Sequence, residues 1–403
     1  MPSPSPHRWL VLSGVWLIYC TFGLVAMGLA PIIGTVERDL GMSHTAMGGV
    51  LGAWQLVYIG AALPCGVLLD RLGSRHALLL GALCIAASSW GRGSAQSFGE
   101  LLAAVMLFGL GGPIVSAGAP KVITAWFHGA ERGLAMGIYV TGPSVGAIVS
   151  LTATHPWLLP ACGGNWRRLL AAHAVAALLA GFAWWGIASL SAIRPLADAR
   201  SGHDHVPHRA RVFELLEDPV IRLILAMAVG VFLIGHAMSN WLPELLMRHG
   251  LPPAAAGYWA ALPIAVGIAG SLTIPRFAIP ARRFRILVLL CGALLGASLL
   301  IQFDAPSLLF PGLVLQGIAR ATLTTVLVLT LVELPQVGTR HAGLATGLFF
   351  GAGEIGGMAG PWLLGALYDL TGGFTVGLAC FSGLSLALIA GARRLRRALA
   401  AVA

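Results

Sequence analysis

The sequence predicts an all-α integral membrane protein with twelve transmembrane helices in two pseudo-symmetric six-helix bundles. Three observations carry that prediction: long apolar runs, basic residues gathered on one side of the chain's crossings, and a segment that recurs 210 residues later. Of 403 residues, 57% are hydrophobic and 10% charged, whereas a soluble domain carries about 25% charged residues. Mean hydropathy is +0.85. Too little polar sequence is present to cover a soluble body of this length.

Apolar runs recur from near Trp9 to Ile389, several of them about 20 residues long, the span of a bilayer core. Their continuity excludes the roughly ten-residue alternating strands of a membrane barrel. The expected spans are 9–33, 45–69, 77–94, 98–125, 133–156, 168–190, 220–245, 254–275, 286–303, 306–333, 342–368 and 374–392. They divide into an N-terminal bundle (1–190), a central loop (191–219) and a C-terminal bundle (220–403). The Pro/Ser-rich Met1–Arg8 precedes the first span without a small-residue cleavage site, so that span reads as a retained helix.

The basic residues orient the spans. Of 25 Lys and Arg, 17 fall in segments on the side of the N-terminus and 5 (Arg38, Arg92, Arg167, Arg168 and Arg248) on the other, with Lys121, Arg222 and Arg320 assigned to spans. The positive-inside rule then places both termini in the cytoplasm, in a multi-pass protein of the inner membrane. The pI of about 10.1 therefore belongs to topology and anionic lipid, not to nucleic acid. The six cysteines (Cys20, Cys65, Cys84, Cys162, Cys291, Cys380) are scattered and read as small packing residues. Ser201–His208 holds histidines without metal-ligand spacing and reads as a solvated linker; no metal or cofactor is expected.

Gly133-Leu134-Ala135-Met136-Gly137 matches Gly343-Leu344-Ala345-Thr346-Gly347, and Gly146 matches Gly356. Parallel repeats of this kind imply two bundles related about the membrane normal, with a substrate site near the midplane. Glycines four apart, as in Gly133/Gly137, Gly142/Gly146, Gly343/Gly347/Gly351 and Gly353/Gly357, put small residues on one helix face and let backbones approach.

Between the second and third spans runs Gly66-Val67-Leu68-Leu69-Asp70-Arg71-Leu72-Gly73-Ser74-Arg75-His76. This resembles the signature loop of the major facilitator superfamily, Gly-x-x-x-Asp-Arg-x-Gly-x-Arg with a second basic residue, whose place His76 takes. Asp39-Leu40-Gly41-Met42-Ser43 resembles the family's approach to the second helix, with Ser43 its expected N-cap, and Gly360-Pro361, Gly365, Asp369 and Gly372 its exit from the eleventh. The resemblance implies a secondary active transporter working by alternating access, with Asp70 latching the halves. Arg71, Arg75 and Arg132 are its expected partners, with Gly66 allowing close helix approach and Gly73 a turn of positive φ. The second-half counterpart, Pro275–Arg285, lacks an acid and is assigned to topology and lipid contact.

Ionisable residues inside spans are functional candidates by default. Arg320 in the tenth span and Glu354 in the eleventh lie at similar depth. Two readings stand: Arg320 anchors an anionic substrate while Glu354 carries a coupled proton, or the two form a structural ion pair. Lys121 reads as snorkelling toward a helix end, and His173 as interfacial. His236 and Asn240, one turn apart, read as a polar path or a hydrogen-bonded pair. Tyr19, Thr21, Gln55, Tyr58, Tyr139 and Thr141 are candidate lining residues.

The loop Trp126-Phe127 through Glu131-Arg132-Gly133-Leu134-Ala135-x-Gly137 looks like members carrying small anions, the oxalate/formate and cyanate-permease-like groups. A nitrate porter would need arginines in the second and eighth spans. Gly142-Pro143-x-x-Gly146 partly resembles the antiporter signature of drug exporters, but Ile138 stands where a glycine is expected. The expected function is thus transport of a small organic anion, monocarboxylate-like and proton-coupled, by a monomer whose partners are substrate, proton and lipid. A drug/H⁺ antiporter is the alternative within the family. A channel or membrane enzyme is the alternative outside it, without a nucleophile–base or metal motif to support it.

Overall fold

The computed structural model describes residues 7–193, 209–303 and 305–400. The Ser201–His208 linker reading, with Arg194 and Arg200, lies outside them. The described chain is helical: α1 (Arg8–Ala26), α2 (Ile33–Leu40), α3 (His44–Ser94), α4 (Phe98–Trp126), α5 (Gly129–Ala153), α6 (Trp166–Ser189), α7 (Arg209–Glu217), α8 (Pro219–Arg248), α9 (Pro253–Thr273), α10 (Pro280–Ile301), α11 (Pro306–Val332), α12 (Gly338–Thr371) and α13 (Thr375–Ala400). Ten helical segments are long and apolar enough to cross a membrane. One of these, α3, is 51 residues long and two membrane lengths in one, and the 34-residue α12 is a further long helix. The described residues thus supply the twelve expected spans.

Two boundaries differ from expectation for physical reasons. The first span breaks after Ala26 into a 3₁₀ turn, Ala30–Ile32, around Pro31, and resumes as α2; proline cannot donate to the helical ladder. The expected loop at 70–76 is absent. Helix α3 runs through it, interrupted by Gly73 at φ 73°, ψ 162°, which only glycine adopts readily. Asp70, Arg71 and Arg75 are therefore held on helical turns flanking that kink, and Trp184 Nε1 donates to the Arg75 carbonyl at 3.2 Å beyond it. Side-chain caps start other helices: Ser43 accepts from Ala46 N–H, Ser97 from Glu100 N–H, Asn165 from Arg167 N–H and Asp218 from Val220 N–H.

The backbone falls into two compact units, Met1–Met42 with Ala53–His205, and Ser43–Gly52 with Val206–Ala403. In the first, α1 crosses α5 where a Cβ on Gly146 would lie 1.9 Å from the Cys20 carbonyl oxygen, and one on Gly23 2.0 Å from that of Pro143. In the second, α8 crosses α12 with Gly356 at 2.0 Å from the Val229 carbonyl and Gly360 at 2.1 Å from that of Leu233. The matched Gly146 and Gly356 thus make equivalent crossings. The first turns of α3 also seat on α12, at Gly48, Gly52 and Gly365. By contrast Gly133, Gly137, Gly343, Gly347 and Gly351 meet nothing within 4 Å, so the four-residue spacing there does not mark a packed face. Gly66 likewise has no close neighbour, contrary to its expected role.

The core of the first unit is built on Ile18, Phe108, Trp184 and Ala177, all fully buried. Cys65 and Cys291 are buried and Cys380 is exposed.

A Cβ at Gly356 must displace backbone, an overpacking cost of about 1–3 kcal/mol. At Gly343, in open space, alanine removes chain entropy and gains about 0.5–1 kcal/mol. Thermal unfolding in detergent is therefore expected to drop for Gly356→Ala and to hold or rise for Gly343→Ala; equal shifts would contradict the crossing.

Candidate functional site

In the second unit, α8, α11 and α12 carry the polar groups of the expected midplane site. Arg320 lays its side-chain stem over Gly235, whose built Cβ would lie 3.4 Å from Arg320 Cγ. Its Nη1 donates to Ser239 Oγ at 2.5 Å. Glu354, 9% exposed, faces His236 instead, with Nε2 to Oε2 at 3.8 Å. Arg320 and Glu354 therefore form no ion pair, and among the described residues Arg320 has no carboxylate partner. The structural-pair reading is corrected on that ground: the two helices present the groups to different neighbours on α8. The Glu354 Oε2 atom is buried without a hydrogen bond, as is Gln316 Oε1 one turn before Arg320. Asn240 is buried and donates from Nδ2 to the His236 carbonyl at 2.8 Å. Ser239, not singled out in the sequence, joins the site because it lies one turn beyond Gly235, on the face of α8 that Arg320 covers.

The first unit gathers aromatic hydroxyls. Tyr19 and Tyr139 stack with ring centroids 5.5 Å apart. Tyr58 Oη and Ser116 Oγ share a hydrogen bond of 2.8 Å, and Trp16 Nε1 donates to Thr141 Oγ1 at 3.1 Å. Gln55 is fully buried, and Thr21 turns back to the Ile18 carbonyl at 2.9 Å. Tyr19, Tyr58 and Tyr139 are thus brought together on α1, α3 and α5, while Thr21 is spent on its own helix.

At the kink in α3, Asp70 accepts from Lys121 Nζ at 2.6 Å, both half-buried. Lys121 is therefore an ion-pair partner and not a snorkelling surface residue. Two expected partners are corrected. Arg132 donates to the Phe127 and Thr124 carbonyls at 3.0 and 3.4 Å, closing the end of α4, and Arg71 points outward, exposed. Arg75 lies over the Trp185 ring at 5.4 Å.

The second unit has a counterpart with the signs exchanged. Arg283, 7% exposed, donates to Glu333 at 2.6 Å and to the Ala278 carbonyl at 3.1 Å. In the first unit the acid stands just before the Gly73 kink of α3 and the base near the end of α4. In the second the base stands in the first turn of α10 and the acid just past the end of α11. Arg283 was assigned to topology and lipid; its burial and its acid correct that. The missing acid was not legible locally because it lies 50 residues away at the end of α11.

Two further groups were misplaced by sequence reasoning. Arg92, counted with an outer loop, is 2% exposed and donates to the Val25 carbonyl at 2.8 Å, with its guanidinium 5.3 Å from the Phe108 ring centre. His173, read as interfacial, is 3% exposed.

A polytopic helical chain with a repeated glycine crossing, a half-buried arginine without a carboxylate partner among the described residues, and an ion pair in each unit has the build of a membrane transport protein. The sequence profile described as the Major Facilitator Superfamily matches residues 15–361, and the chain belongs to that family. It is therefore a multi-pass membrane transporter of small molecules, not an enzyme. It is similar to a probable L-galactonate transporter of Escherichia coli K12, 30% identical over 38% of this chain and 33% of that one, so the match spans about a third of the relative. It is similar also to a probable galactarate/D-glucarate transporter, GudP, of Pseudomonas putida, 25% identical over 92% of this chain and 87% of the relative. Among solved structures, a bacterial homologue of the human lysosomal transporter Spinster, in an inward-facing and occupied conformation, shares the fold. Its TM-score is 0.77, with 17% identity over 98% of this chain and 97% of that one.

If Asp70 and Lys121 act as a pair, Asp70→Asn and Lys121→Met are each expected to lower thermal stability, and the double variant to lose less than their sum. A coupling of about 1–2 kcal/mol is expected for contacting charges. Strict additivity would show that the contact carries no energy.

Proposed function

We propose that the protein moves a small organic anion, of the sugar-acid or monocarboxylate kind, across the bacterial plasma membrane by proton-coupled alternating access. The single observation that carries the reading is Arg320, a guanidinium inside a span with no carboxylate among the described residues to neutralise it. A charge at that depth is costly, and an unpaired arginine offers its fork of donors to a carboxylate. Ser239 holds one side of that fork and leaves the other for the ligand. The sugar acids named for the relatives above bear such a carboxylate. Tyr19, Gln55, Tyr58, Tyr139, His236 and Asn240 supply the hydroxyl, amide and imidazole groups that a polyhydroxylated anion uses. Glu354, buried beside His236, is the group proposed to take up and release the coupled proton.

Asp70 is proposed to gate, through Lys121 on its own unit, with Gly73 as the hinge and Arg71 and Arg75 beside it. We infer further that both termini are cytoplasmic, that residues 1–190 and 220–403 act as the two moving halves, and that the unit of transport is a monomer.

Uptake into proteoliposomes tests the anion reading. Labelled galactonate or glucarate is expected to enter, and a lipophilic cation not to. Hydrogen bonds to charged groups are worth about 1.5–3 kcal/mol, so Arg320→Gln should raise the half-saturating anion concentration by about 10–150-fold. Glu354→Gln should abolish accumulation driven by a pH gradient while preserving exchange of labelled for unlabelled substrate. Full transport by the Arg320→Gln/Glu354→Gln double variant would exclude both roles.

For the gate, Asp70→Asn should shift the balance of inward and outward accessibility, read by labelling of single cysteines placed on either side. Unchanged labelling together with unchanged transport would remove the gating assignment.

A further inference from the structure

A cleft of about 480 Å³ opens in the second unit where the start of α10 lies beside the end of α13. It is lined by Ala281, Phe284, Arg285, Arg396 and Leu399. One arginine comes from each helix, both exposed. Arg283, two residues before Arg285, turns the other way and is spent on Glu333. Arg285 and Arg396 have no such partner: no carboxylate lines the cleft, and among the described residues neither makes an ion pair. The apolar run of α10 begins at Ile286 and that of α13 closes at Ala390. The two guanidinium groups therefore sit just past the hydrocarbon boundary, at the depth of lipid phosphates, with Phe284 and Leu399 forming apolar walls beside them.

We propose that this cleft binds the phosphate of an anionic glycerophospholipid. Two arginines converging from different helices can each donate a pair of hydrogen bonds to phosphate oxygens, a geometry that lysine cannot reproduce. The apolar walls receive the first methylenes of the acyl chains, which a free phosphate lacks. A net negative headgroup is favoured because two positive charges face it and no acid shares the site. The lipid would tie α10 to α13, the two helices whose packing it bridges.

Native mass spectrometry of the full-length protein released from detergent tests this, with phosphatidylglycerol, phosphatidylcholine and inorganic phosphate as probes. Phosphatidylglycerol is expected to bind in preference to phosphatidylcholine. Arg285→Gln/Arg396→Gln is expected to weaken phosphatidylglycerol binding by about 30-fold, the worth of two basic residues at an anionic surface. Arg282→Gln/Arg397→Gln removes the same charge outside the cleft and should bind as the parent does. Equal loss in both variants would overturn the site in favour of diffuse attraction. Equal binding of the two lipids would overturn it as well, and so would thermal stabilisation by inorganic phosphate matching that by phosphatidylglycerol. Should the Gln pair fail to fold, Arg285→Lys/Arg396→Lys keeps the charge and removes the fork. Binding by that variant as tight as by the Arg282/Arg397 control would equally refute the proposal.

Discussion

Everything in each unit hangs on one backbone approach: a helix carbonyl set where another helix's side chain would begin. Cys20 O against Gly146 and Val229 O against Gly356 lie about 2 Å from an ideal Cβ position, so no residue but glycine fits without moving the helix. In lipid there is no hydrophobic force to press helices together, because acyl chains are as apolar as leucine. Close van der Waals contact has to supply the attraction, and it grows as the axes approach. The crossing fixes the pitch of α1 on α5 and of α8 on α12. It thereby fixes where Tyr19 meets Tyr139 in one unit and where His236 meets Glu354 in the other.

Charge is the second constraint, and each buried charge is handled differently. Arg92 answers the Val25 carbonyl at the point where α1 breaks, so the cost of a buried guanidinium is offset by satisfying an acceptor at the end of that helix and by the face of Phe108. Asp70–Lys121 and Arg283–Glu333 occupy corresponding places with reversed signs. What is preserved between the halves is the link between a junction and the following helix end, not the residue type that makes it. Removing Glu333 leaves the buried Arg283 guanidinium poorly solvated, and removing either Asp70 or Lys121 leaves a half-buried charge unpaired, so such deletions are costly.

The spans were legible because a 20-residue apolar run admits few other readings. Gly73 was legible too, since a glycine between two helical patterns points to positive φ. Ser43 as a cap followed from its type and place. Partnership was not. Lys121 and Asp70 lie 51 residues apart, and nothing in either local sequence marks the other; only the packing of α3 on α4 does so. The same holds for Glu333, hidden just past the end of α11, and for Arg92, whose burial depends on the break at Pro31. Glycine spacing was half informative. It named Gly142 and Gly146, which pack, and also Gly343, Gly347 and Gly351, which do not, because periodicity shows a face without showing what stands opposite.

The separation of Arg320 from Glu354 has a consequence for coupling. Had they paired, substrate would have had to break an ion pair to bind, and proton and anion would have competed for one contact. Instead both charges look to α8, Arg320 to Ser239 and Glu354 to His236, three residues apart on that helix. Residues three apart lie on one helix face, so a shift or rotation of α8 moves both contacts together. With the anion at Arg320 and the proton at Glu354, as proposed, the two ligands would act on the same rigid element without touching. Linkage through α8 would then be reciprocal, each ligand biasing the site of the other by the same free energy. The helix that the glycine crossing seats on α12 is also the helix that both charged groups contact.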